Sequence, residues 1–289
     1  MSYHEIIYEP GKVARLILNR PRYYNAQSYL MREEMDDAFH RAASDDKVGA
    51  IVLSGAGSHF SAGHDIGTPE DSEYREAHGL SLKNPDRHHK YRDMRAICLE
   101  NTMRWRNLPK PTIAMVNGYC IFGGWIFASA MDVVFAAEDA LFLPGPVQYF
   151  PVPWDLTPRK AREILLEHRY ITAWEAYEYG FVNRVFPPED LEKETLAYAG
   201  RVADNYLNNP LWVRLTKFSI NHMQDAMGFT TEMEAHYNAY CLMESLQPID
   251  LTRPDKGGYA RTHVARENLE LTRPWLQAIR RDLADAGTG

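Results

Sequence analysis

GYCIFGGWIFASAMD, residues 118–132, places two adjacent glycines, Gly123 and Gly124, at the head of an apolar segment. A glycine inside a helix costs about 1 kcal/mol relative to alanine. A pair of them opening a buried helix therefore asks what comes close to that backbone. The residues just before, TIAMVNG (112–118), form a short apolar run ending in glycine, which predicts a buried strand. The whole reads as strand, turn and helix, with the glycines where the first N–H groups lack internal acceptors and the helix dipole is positive. Glycine lets a ligand or another backbone approach those groups. The window Pro111–Met131 holds 21 residues without a charge, long enough for a membrane span. Pro111, Asn117, Gly118 and the glycine pair interrupt it and Asp132 follows at once, so strand, turn and buried helix is the reading.

Outward from this segment the same alternation continues. VARLILN (13–19), AIVLSG (50–55), VVFAAE (133–138), ALFLPG (140–145) and FVNRVFP (181–187) read as strands. Residues 28–43 read as a helix whose apolar face carries Met31, Met35, Ala38, Phe39 and Ala42. Thr157 and Pro158 suit the cap and first turn of a helix running to about His168. Thr172 and Glu175 have capping-box spacing ahead of a helix that Gly180 closes. After Pro188 the pattern is almost wholly helical. The expected division is an α/β core over 1–187, then a helical C-terminal region over 188–289 whose tail after Gln247 is irregular. Gly67 to Asn84, polar and carrying Gly and Pro, reads as the least ordered stretch.

Composition bounds the function. The 289 residues are 45% hydrophobic and 25% charged, with a net charge of −7. That is ordinary for a globular chain and gives no electrostatic reason to bind nucleic acid. The three cysteines, Cys98, Cys120 and Cys241, are widely spaced without CxxC, which fits a reducing compartment, and neither a zinc site nor a disulfide framework. No signal peptide is visible at the N-terminus, so a cytoplasmic location is expected.

Most catalytic motifs are absent. GAGSHFSAG (55–63) has Phe60 where GxGxxG needs its third glycine, and there is no GxxxxGK, HExxH or GxSxG. His78, His88 and His89 lie in a solvated, charged stretch. Cys120 reads as an inert core thiol. Two turns remain, FSAGHD (60–65) and CIFGGW (120–125), each after a predicted strand. They could each aim one N–H at the same oxygen, forming an oxyanion hole. Alternatively, their glycines only permit tight helix-to-sheet packing, which spacing alone favours.

Together with their surroundings, these turns resemble the enoyl-CoA hydratase/isomerase superfamily, the crotonases. The resemblance rests on NRPRYYNAQS (19–28), IVLSGAGSHFSAGHDI (51–66), LPKPTIAMVNGYCIFGGWIFASAMDVVFAAEDALF (108–142) and ITAWEAYEYGFVNRVFP (171–187), in that order. It implies a spiral of ββα units, then a helical region used to form trimers that often pair into hexamers. It implies an acyl-CoA thioester as substrate, coenzyme A as part of that substrate rather than a permanent cofactor, and no metal. By motif position, the N–H groups of Ala62 and Gly123 would hold the thioester oxygen. Arg22 and Tyr24 would lie near the coenzyme A chain, and Phe60, His64, Asp65 and Ile66, with Phe122 and Pro146, near the acyl group. Asp65 has a second reading, as a carboxylate bonded to its own loop.

The resemblance departs from the family at the acid–base residues. A hydratase of this type uses two glutamates, and Ile126 and Pro146 stand at their positions. Asp155, in the loop PVQYFPVPWDLTP (146–158), is the best carboxylate replacement; some relatives carry an aspartate in this loop, which gapless counting places on Trp154, one position away. Its alternative role is capping the helix that starts near Pro158. His64 and Tyr149 are weaker candidates for proton transfer. Trp125, Trp154, Tyr119 and Tyr149 would suit a bulky acyl group, or be ordinary core aromatics. The expected function is an acyl-CoA-processing enzyme of the hydratase/isomerase type working through an enolate. The alternatives are an isomerase, a C–C or thioester hydrolase, and a non-catalytic acyl-CoA-binding subunit.

Overall fold

The computed structural model describes residues 3–80, 86–145, 148–246 and 269. A first sheet is begun by β1 (Ile6–Glu9) and β2 (Val13–Leu18), which pair antiparallel. After helix α1 (Tyr29–Ser44), strand β3 (Ala50–Gly55) lies parallel to β2. Helices α2 (Pro69–Ala77) and α3 (Arg87–Met94) follow, and a π-helical turn over Arg95–Glu100 leads into α4 (Asn101–Arg106). The chain then runs through β4 (Thr112–Val116), β5 (Tyr119–Ile121), α5 (Gly123–Ser129), β6 (Val133–Ala137) and β7 (Leu141–Leu143). Next come α6 (Val152–Asp155), α7 (Pro158–Glu167), β8 (Ile171–Thr172), α8 (Ala173–Glu178) and β9 (Arg184–Phe186). Three long helices close the described chain: α9 (Pro188–Asn208), α10 (Pro210–Ala226) and α11 (Phe229–Leu246).

Two sheets result, ordered β1-β2-β3-β4-β6-β9 and β5-β7-β8. The chain passes repeatedly from the first to the second. Between β4 and β5 the kink is Gly118 at φ +53, where an added methyl would stand 2.2 Å from the Ser58 carbonyl oxygen. The parallel strands of the first sheet are covered on both faces, which explains their continuous apolar runs. Ile51, Leu53, Ala114, Val116, Val134 and Ala136 face the main core beneath α1 and α5. Their neighbours Ala50, Val52 and Ile113 face Ala199 and Ala203 of α9. The two-residue period of each strand divides one sequence between two cores.

The expected strands and helices are present. α1 is capped by Ser28, which accepts from the Met31 N–H, and Thr157 caps α7. The capping box of Thr172 and Glu175 forms with both bonds made, and Gly180 follows at φ +88. Two departures stand out. Part of the stretch read as least ordered is α2, started by Pro69 behind a Thr68 cap and anchored by buried Asp71, which pairs with Arg75 at 2.6 Å. β1, β5 and β8 carry too few residues to announce themselves by periodicity. Apart from Leu269, the tail after Gln247 lies outside the described residues.

α9 lies close enough to the sheet that a methyl at Gly49 would come within 2.5 Å of the Ala203 carbonyl oxygen. That atom is backbone and cannot rotate away. Gly49→Ala is expected to lower the unfolding free energy by about 1–3 kcal/mol, read as a lower denaturant midpoint.

Candidate active site

The two glycine turns lock together backbone to backbone. Ser61 N–H donates to the Tyr119 carbonyl and Ile121 N–H to the Ser61 carbonyl, each at 2.9 Å, a parallel bridge that extends β5. The loop then bends through Gly63 at φ +91, where a methyl would stand 2.8 Å from the Ile121 carbonyl oxygen and 3.1 Å from the Gly123 nitrogen. Gly124 is equally confined, since a methyl there would come 2.6 Å from the Ser61 carbonyl oxygen. The turn residue Phe122 takes φ 47, ψ −103, and its N–H donates to the Leu143 carbonyl at 2.8 Å. Gly124 thus permits packing, and Gly123 sets the first amide of α5, which has no intrahelical acceptor, beside Gly63.

Ala62 requires a correction. Its N–H donates to the Tyr24 carbonyl at 2.9 Å, so this amide is engaged within the protein. Gly63 N–H donates to Ser61 Oγ at 3.1 Å. The next residue, His64, forms a parallel bridge with Gln27. The bonds Gln27 N–H to Gly63 O at 2.8 Å and Asp65 N–H to Gln27 O at 3.0 Å turn the His64 N–H away from Gln27.

Asp65 is a second correction. Its carboxylate is buried, accepts from the Gly67 and Thr68 N–H groups at 2.9 and 2.8 Å, and pairs with Arg20 at 2.7 Å. Burial raises its pKa, but these bonds outweigh it and hold the carboxyl below its usual value. It staples its own loop rather than facing a substrate. Phe60 is likewise wholly inside the main core. Tyr24 is 54% exposed. Arg22, also exposed, pairs with Glu70 at 2.9 Å, leaving both side chains at the surface near the turn. His64, Ile66 and Phe122 are half-buried. Pro146 lies outside the described residues.

Asp155 ends α6 and turns its carboxyl onto the helix that the glycine pair opens. Trp125 Nε1–H donates to Oδ2 at 2.7 Å and Ser129 Oγ–H to Oδ1 at 2.8 Å. Trp125 and Ser129 are one helical turn apart, so both donors converge on one carboxyl. Desolvation pushes its pKa up to about 7, against the pull of the two donors. It does not cap α7, which Thr157 does. Trp125 itself is core, stacked on Phe181 with ring centroids 4.6 Å apart. Ile126, on the neighbouring face of α5, packs among Leu99, Tyr149, Phe229, Met233 and Tyr237. The Cys120 thiol is buried and pushed well up, as an inert core thiol should be.

Comparison with known proteins agrees with this architecture. Residues 9–240 match the family described as enoyl-CoA hydratase/isomerase. The chain belongs to that family. It is therefore an acyl-CoA-processing enzyme of the crotonase type. It is 36% identical over 256 residues to a Mycobacterium tuberculosis protein named as the enoyl-CoA hydratase EchA13, covering 81% of this chain and 78% of that one. It is 32% identical over 211 residues to 4-chlorobenzoyl coenzyme A dehalogenase-2 of an Arthrobacter species, covering 70% and 73%. Among solved structures, an enoyl-CoA hydratase/isomerase from Xanthobacter autotrophicus superposes with a TM-score of 0.76 at 29% identity, covering 96% of this chain and 98% of that one.

Sequence reading overlooked Gln27, Arg32 and Ser129. Arg32 left a signal, because it precedes Met35 by three and Phe39 by seven residues and so shares the buried face of α1. Among the described residues no group of three or more His, Cys, Asp or Glu could hold a metal ion.

The raised Asp155 carboxyl makes folding bind a proton between its ordinary value of 3.8 and about 7. Its contribution to stability is full below the lower value and is lost as pH rises to the upper one. Asp155→Asn, which cannot ionise, should flatten that part of the stability–pH curve measured by denaturant unfolding from pH 4 to 8.

Proposed function

We propose that this crotonase-type enzyme forms an enolate of an acyl-CoA thioester, its oxygen held between the Gly123 N–H and the His64 N–H, with Asp155 as the acid–base group. The carrying observation is the approach of Gly63 to the Gly123 nitrogen, which sets the start of α5 beside the loop amide that the Gln27 bridge turns outward. Two N–H groups and a helix N-terminus favour negative charge on that oxygen. A carboxyl of pKa about 7 is half ionised near neutrality and can both take and return a proton.

A single carboxyl, with apolar Ile126 at the position of the family's first glutamate, suits a shuttle that removes a proton at one carbon and returns it at another, moving a double bond. Hydration, which also needs a base for water, is the second reading, favoured by the names of the relatives. Mass spectrometry of a mixed enoyl-CoA panel in heavy-oxygen water separates them. The expected product is an isomer of unchanged mass. One labelled water with the thioester intact would establish hydration, and free coenzyme A with a labelled acid would establish hydrolysis. Asp155→Asn should cut turnover about 10²- to 10⁴-fold with acyl-CoA affinity retained. In the wild type kcat/KM should rise as pH passes about 7, because the base must be ionised. Esters returned unchanged, with no isomer, would favour an acyl-CoA-binding subunit.

The assembly is proposed to be a trimer or a dimer of trimers, cytoplasmic and without a permanent cofactor. Along α10, Trp212, Leu215, Ile220, Met223 and Met227 are 69%, 55%, 56%, 55% and 69% exposed and share one broad face. Light scattering should give three or six chains, and Trp212→Glu with Met223→Glu should give a smaller species.

A further inference from the structure

Arg32 is a cation in an unusual place. It is 2% exposed, and among the described residues no carboxylate pairs with it. Its guanidinium donates to the Ile97 carbonyl at 2.7 Å and to Gln27 Oε1 at 2.8 Å, and it lies over the Phe127 ring at 4.8 Å. A second cation, Arg75, acts on it and is itself paired with Asp71, and the nearby Cys98 thiol is pushed up by burial. Burying an unpaired charge is costly, so a charge retained here asks for a use. Desolvation lowers the Arg32 pKa, yet a guanidinium begins so high that it stays charged at neutral pH.

The use is visible one residue further on. The Gln27 amide lies against the glycine turn: a methyl at Gly123 would stand 2.6 Å from Gln27 Oε1 and 3.2 Å from Nε2. Gln27 Nε2 donates to Ser61 Oγ at 3.3 Å, and Ser61 Oγ donates to the Asn25 carbonyl at 2.8 Å. Left alone, the amide oxygen would set a negative dipole end beside Gly123, where an enolate oxygen needs positive potential. The guanidinium binds that oxygen and offsets it, and the charge itself acts across a low-dielectric interior in which fields persist.

We propose that Arg32, acting through Gln27, is a positioning residue of the oxyanion site: it fixes the Gln27 amide against Gly123 and supplies the positive potential that an enolate oxygen requires. This rests on the enolate reading above. Neither residue touches the substrate, so binding should change little while enolate formation suffers.

The test needs no knowledge of the natural substrate. Butyryl-CoA carrying carbon-13 at its thioester carbonyl is bound to the full chain. Two quantities are read: the carbonyl stretch by isotope-edited infrared spectroscopy, and exchange of its α-protons in heavy water. The native protein should lower the stretch and catalyse exchange. Arg32→Met should lose most of the infrared shift and slow exchange about 10- to 100-fold, somewhat less than loss of a direct oxyanion donor, with the dissociation constant within about twofold. Arg32→Lys, which keeps the charge, should recover part of both, and Gln27→Met should resemble Arg32→Met. In the double mutant the two effects should not add. A folded Arg32→Met protein with native shift and exchange would overturn the proposal alone. Should Arg32→Met fail to fold, native exchange in Gln27→Met would overturn it instead. No shift and no exchange in the native protein would overturn the enolate reading, and this proposal with it.

Discussion

The arrangement depends on one close approach, that of Gly63 to the first turn of α5. The Ser61–Cys120 bridge pulls the two loops together, and side chains at Gly63 or Gly124 would push them apart. Everything proposed for the site follows from that contact. It brings the start of a helix, with its unsatisfied amides and positive dipole, beside a loop that arrives from a different ββα unit. Neither unit could make the site alone. The first sheet holds their strands in register, β3 parallel to β4 with Ile51 opposite Thr112.

Around this contact, carboxylates that look alike in sequence have separated by environment. Asp65 receives two backbone N–H groups and an arginine, stays below its usual pKa and serves as a staple. Asp155 receives an indole N–H and a hydroxyl in a drier setting and rises to about 7. The difference is the number of donors. The Thr68 hydroxyl, the Thr68 and Gly67 N–H groups and the Arg20 guanidinium together outweigh the desolvation of Asp65, whereas the two donors of Asp155 do not outweigh its own. Cations show the same logic from the other side. Arg20 is neutralised by Asp65 and Glu5, while Arg32 is left with carbonyl groups and an aromatic face, and its field is not cancelled.

Elements whose evidence is local were legible in the sequence. The helix over residues 28–43, the capping box at Thr172, the buried strand Ala50–Gly55 and the helix opened by the glycine pair are each fixed by a few neighbouring residues. The strands β5 and β8, of three and two residues, were not, because they exist only through their partners. α2 was hidden by a polar surface, although Thr68 and Pro69 repeat the local start signal of Thr157 and Pro158, and the bond from Tyr29 N–H to Asp71 anchors it. The same distinction governs the site. Gly123 could be singled out from motif position and Asp155 as the carboxylate of the following loop, but that the Ala62 amide is engaged depends on the Tyr24 carbonyl, some forty residues away.

The sequence by itself determined the alternation of strand and helix, the family, the glycine turns and the absence of glutamate at Ile126. These are properties of residue type and spacing along one chain. Only the tertiary structure decided that Ala62 is engaged, that Asp65 is a staple, that Asp155 rests on Trp125 and Ser129, and that an unpaired Arg32 stands behind Gln27. Hydrogen-bond partners and desolvation depend on what other segments bring within a few ångströms, and the physical reason is that such neighbours are set by packing in space rather than by position in the chain.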